Sequence, residues 1–98
     1  MSTTNTLTWN KNTEADLAGY NVYRKVGSAP VKGTDAKINV GMVAITTPIY
    51  VDVVTGDGDY FYAVSAVDTS NNESPLSNVK DKVVDATPPQ APVLQSVV

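Results

Sequence analysis

The sequence predicts a single all-β domain built as an antiparallel sandwich. Short stretches rich in Val, Ile, Tyr and Thr alternate with clusters of Gly, Asn, Asp and Pro. No segment sustains a 3.6-residue apolar period, so the chain offers no helix to cross between parallel strands. Its 98 residues suffice for one hydrophobic core and not for two.

Taken in order, Thr6–Asn10 alternates with Leu7 and Trp9 on one face. Tyr20–Arg24 alternates with Tyr20 and Val22 inward, which leaves Tyr23 outward and Arg24 inward near the strand end with its head group in solvent. Val40–Ile45, interrupted by Gly41, is a weaker third strand, and Ile49–Val53 a fourth, closed by the turn Thr55-Gly56-Asp57-Gly58. Tyr60–Val67 is the clearest strand. Tyr60, Tyr62, Val64 and Ala66 form its inner face, and Phe61, Ala63, Ser65 and Val67 lie outside. A last strand falls within Asn78–Val84 after the polar loop 68–75. Six strands at short spacing without helices indicate a sandwich.

Three of these stretches together resemble a fibronectin type III domain of the bacterial kind over roughly residues 6–85: Leu7-x-Trp9, Asp16–Arg24, and Tyr60-x-Tyr62-x-Val64-x-Ala66-Val67-Asp68 leading into Asn72-Glu73-Ser74. The resemblance implies an immunoglobulin-like sandwich with strands B to G in residues 1–85. Trp9 would be its central buried aromatic between sheets about 10 Å apart. Tyr60 would be its tyrosine corner, the hydroxyl bonded to main chain upstream. Tyr20, Val22, Tyr62 and Val64 would complete the structural core.

One departure from the family pattern concerns strand A. Only polar residues precede strand B, whereas Thr87-Pro88-Pro89-Gln90-Ala91-Pro92-Val93-Leu94 resembles the linker and strand A of a following module. Residues 86–92 then read as a Pro-rich linker and 93–98 as a strand A-like segment. Val93, Leu94 and Val97 would serve either in the next module or by donation to a neighbouring molecule, and a dangling tail is the alternative.

The composition excludes several function classes. Seven basic and ten acidic residues are scattered along a chain of net charge −3, so no nucleic-acid surface is expected. No apolar run is long enough for a membrane helix. Cys and His are absent, and no Ser lies beside a general base, so no enzymatic activity, metal or cofactor is expected. Asp52, Asp57 and Asp59 gather hard oxygen atoms, but read more simply as a turn around Tyr60, and Asp68, Asn71, Asn72 and Glu73 read likewise. Tyr23 and Phe61, with Asn71, Asn72 and Glu73 of the loop, form a candidate face for a glycan or protein, against the plainer reading of an ordinary cross-strand pair. The resemblance implies a spacer or accessory module of a larger extracellular bacterial or phage protein, with neighbouring domains as its partners. Adhesion and head-to-tail assembly with copies of itself are the alternatives.

Overall fold

The computed structural model describes residues 2–85 and 89–98. Five strands follow in order, β1 (Thr3–Thr8), β2 (Leu17–Val26), β3 (Ile49–Val54), β4 (Gly58–Asp68) and β5 (Lys80–Val84). β1 pairs with β3 in one antiparallel sheet, and β2, β4 and β5 form a second in that order. The period-2 stretches thus become strands, and the two inner faces share one core of Val22, Val54, Tyr60, Tyr62 and Val84.

β1 begins and ends earlier than its sequence pattern suggests. The polar residues Thr3–Asn5 belong to the strand, while Trp9 and Asn10 lie beyond it. Trp9 still donates its N–H to the Pro48 carbonyl at 3.2 Å, but Pro48 has no N–H to return, and the ladder stops there. Nor is Trp9 the buried centre of the sandwich. It is half-buried with its ring edge-on to Tyr20, at 5.3 Å and 77°. The buried centre is Tyr20 and Val22, and Val64, also expected in the core, is half-buried like Trp9.

The expected strand at Val40–Ile45 does not form. This stretch lies in the connection 27–48, which borders β2 irregularly. Val43 exchanges main-chain hydrogen bonds with Tyr20 at 3.1 and 2.9 Å, and Ile38 donates to the Val22 carbonyl at 2.8 Å. Between them the Asn39 side chain takes the place of main chain and accepts the Val22 N–H at 2.7 Å. Val40 consequently points wholly into solvent. A side chain replaces one rung of the ladder here, so the segment cannot keep strand geometry.

Serine hydroxyls perform a similar service on the other side of β4. Ser74 and Ser77 accept the N–H groups of Ala66 and Val64 at 2.9 and 3.0 Å, before β5 begins at Lys80. Residues 89–98 make no strand, and Val93 and Leu94 are each 79% exposed. The first part of the expected linker, residues 86–88, lies outside the described residues.

Gly19 allows the connection its close approach. A Cβ built there would lie 2.9 Å from both Met42 Cβ and the Val43 carbonyl oxygen. That carbonyl is hydrogen-bonded to Tyr20 and cannot retreat without breaking the pairing. Gly19→Ala is expected to cost about 1–3 kcal/mol, the usual range for overpacking, read as a lowered urea midpoint at unchanged slope.

Candidate functional site

The aromatic face expected on β2 and β4 is closed. Tyr23 stands opposite Ala63 and Phe61 opposite Lys25, so both aromatics do share the outer side of the sheet. Tyr23 is nevertheless only 6% exposed. Its hydroxyl donates to Glu73 Oε2 at 2.6 Å, and the same oxygen accepts the Ser65 hydroxyl and, at 3.3 Å, Asn21 Nδ2. Asn39 extends the network by donating Nδ2 to Asn21 Oδ1 at 3.1 Å. Lys32 reaches over from the connection and donates Nζ to the Ser74 carbonyl at 2.9 Å. Ala63, Ser65 and Val67, outward on the strand as the alternation requires, are therefore buried as well. Strand alternation gives no sign of this lid, because Lys32 and Glu73 lie in the connections after β2 and β4 and close over the sheet only in the folded chain.

The polar loop is occupied with its own turn. Asp68 accepts the N–H groups of Ser70 and Asn72 at 2.9 and 2.8 Å and Asn72 Nδ2 at 3.1 Å. Those hydrogen bonds, from Asn72 above all, hold the Asp68 carboxyl below the ordinary aspartate range. Asn71 takes the left-handed conformation at φ 65°, which an asparagine tolerates. Of the expected binding residues, then, Tyr23 and Glu73 are brought together but face each other, Phe61 is half-buried, and Asn71 and Asn72 remain exposed at the loop tip.

The aspartates around the 55–58 turn separate. Asp52 points inside, where Arg24 Nη1 lies 2.9 and 3.0 Å from its two oxygens and the Tyr62 hydroxyl donates at 2.6 Å. Arg24 thus enters the fold as expected, but its head group finds a buried carboxylate rather than solvent alone. Asp59 lies beside Asp81, whose proximity raises its pKa. Tyr60 donates its hydroxyl to the Gly56 carbonyl at 2.7 Å, four residues upstream. Among the described residues no group of three or more His, Cys, Asp or Glu side chains is placed to hold a metal ion.

An open groove of about 540 Å³ runs along β1, lined by Asn5–Asn10, by Tyr62–Val64 of β4, and by Ser77, Asn78 and Lys80–Lys82 at the start of β5. It lies between the free edge of β1 and the beginning of β5. Because Trp9 donates across the ladder to Pro48, alternation turns the main-chain N–H and C=O groups of Thr4, Thr6 and Thr8 away from β3, toward the groove side. The inward side chains of β1 contribute Leu7, Asn5 and, just past the strand, Trp9. Asn5 Oδ1 and Trp9 Nε1 are buried without a hydrogen-bond partner. The sequence signal for this groove is Leu7-x-Trp9 in a strand that the family resemblance leaves without its strand A partner.

Comparison with protein-family models, with curated proteins and with solved structures finds no match for this chain.

Two titrations test the networks. Burial first, then the hydrogen bond and charge of Glu73, pushes the Tyr23 phenol up to about 12; burial likewise raises Tyr62 to about 12, with Asp52 adding to it. Unfolded tyrosines ionise near pH 10. Stability from these two groups is complete below that pH and is lost as pH rises toward 12. Alkaline unfolding over this window, advanced less steeply in Tyr23→Phe, is the expected result of denaturant titrations. Glu73 behaves oppositely. Burial opposes its charge, but hydrogen bonds from Ser65, Tyr23 and Asn21 and the Lys32 ammonium outweigh it and hold the carboxyl below its ordinary value. Its contribution is present above about pH 4.3 and fades as pH falls through the lower folded value, and Glu73→Gln should flatten that acid limb.

Proposed function

We propose that this chain is a non-catalytic spacer module of fibronectin type III-like topology, set between neighbouring domains of a larger extracellular bacterial or phage protein. The observation that carries the reading is the pairing order. β1 and β3 correspond to strands B and E of that topology, and β2, β4 and β5 to C, F and G. The Tyr60 hydroxyl on Gly56 fits the same pattern. The reading also accounts for how the polar side chains are used. Asp52 and Arg24 are joined to each other, and Glu73, Tyr23 and Ser65 are joined across the outer face. Groups joined in this way brace a scaffold rather than stand free to act on a substrate.

A spacer works by being stiff relative to its joints. With a fluorophore pair flanking residues 2–85 in the full chain, single-molecule energy transfer should give one narrow distance. It should stay constant until the denaturant midpoint and then broaden abruptly. A broad or drifting distribution under native conditions would count against a spacer role.

A further inference from the structure

We infer that the groove along β1 is a strand-acceptor site whose occupant is Val93–Val98 of a second copy of this chain. The inference concerns the edge of the fold and stands apart from the spacer reading. On the acceptor side, Thr4, Thr6 and Thr8 offer a row of unpaired main-chain donors and acceptors, as an edge strand does before it is augmented. The same groove holds a buried acceptor, Asn5 Oδ1, and a buried donor, Trp9 Nε1, each without a partner. Asn5 itself is only 3% exposed, so its carbonyl oxygen has little water to compensate it.

The donor segment matches the site in length, character and volume. Val93–Val98 is as long as β1, carries no charge, and is exposed in this structure, Val97 at 84%. Its two alternating faces are Val93/Gln95/Val97 and Leu94/Ser96/Val98. Either face inserts two apolar side chains, beside Leu7 and Trp9, flanking one polar group. Three inserted side chains also suit the space, since about 540 Å³ is between three and four times a ~150 Å³ cavity that holds a single benzene.

Strand polarity favours a second copy over the same chain. β5 ends with Val84 opposite Gly58, and β1 begins with Thr3 opposite Val54, so both termini lie at the pole of the 55–57 turn. An antiparallel partner of β1 must start opposite Thr8, at the far pole. Returning there means travelling roughly 20 Å back along the sandwich and around its edge. The eight residues 85–92 reach at most roughly 26–29 Å at full extension, little more than the direct path before any detour round the edge. A neighbouring molecule meets no such constraint. Donor and acceptor are different surfaces, so the contact is heterologous and propagates head to tail.

Sedimentation velocity on the full chain from micromolar to millimolar concentration tests this. The weight-average sedimentation coefficient should rise with concentration. Leu94→Lys/Val97→Lys places a charge on both faces of the donor without touching the folded sheets, and should remain monomeric. Thr6→Pro removes an edge N–H that β3 does not use and should also be monomeric, with an unchanged melting curve. Mixed together, the donor-defective and acceptor-defective chains should restore a 1:1 heterodimer and stop there. Monomer at every concentration for the unaltered chain overturns the proposal, as do oligomers that survive the double lysine variant. A monomer that becomes more compact only when Leu94 and Val97 are intact shows occupation within one chain and equally overturns it. If Thr6→Pro fails to fold, the double lysine variant alone decides.

Discussion

The two sheets share no main-chain hydrogen bonds, and a buried carboxylate tells them how to sit on each other. Asp52 on β3 is 7% exposed. It takes Arg24 from β2 and the Tyr62 hydroxyl from β4, and Tyr62 in turn accepts Asn5 Nδ2 from β1 at 2.9 Å. Burying a charge costs several kcal/mol unless every partner is in place, so sliding one sheet against the other by a residue would strand it. Apolar contacts among Val22, Val54 and Val84 contribute burial but tolerate small shifts; the Asp52 cluster does not. Arg24 also lies 5.9 Å from the centre of the Tyr60 ring, which couples the cluster to the turn that Tyr60 closes.

A second polar cluster gives the sandwich its unequal faces. Glu73 draws Tyr23, Ser65 and Asn21 together on the outside of the three-stranded sheet, and Asn39 links them to the irregular border of β2. The outcome is buried polar surface where an exposed sheet face is usual. Each member is hydrogen-bonded, so the cluster rigidifies the face rather than weakening it. It also uses up the aromatic that would otherwise have offered a stacking surface.

The opposite holds at β1. There the inward side chains Leu7 and Trp9 remain half-exposed, and the edge carries neither a charge nor a proline to discourage pairing. The fold is thus closed on its outer polar face and open along one side of its apolar interior. Both conditions follow from where the segments run: the 27–48 connection borders β2, and among the described residues no strand besides β3 pairs with β1.

Local chemistry alone determined a good part of this molecule. Alternation at Tyr20/Val22 and Tyr60/Tyr62 marked the strands and their inner faces, because side chains on a pleated strand point to opposite sides whatever surrounds them. Gly and Asp marked the 55–58 turn. Tertiary structure decided how deeply each residue lies. Tyr23 and Ser65 read as outward until Glu73 and Lys32 cover them, Trp9 read as the buried centre but is half-buried, and Asp52, read as part of a turn around Tyr60, pairs inside with Arg24 and Tyr62. Direction is a property of the strand itself. Burial of a polar group depends on a partner dozens of residues away, and only the folded chain brings that partner within hydrogen-bond reach.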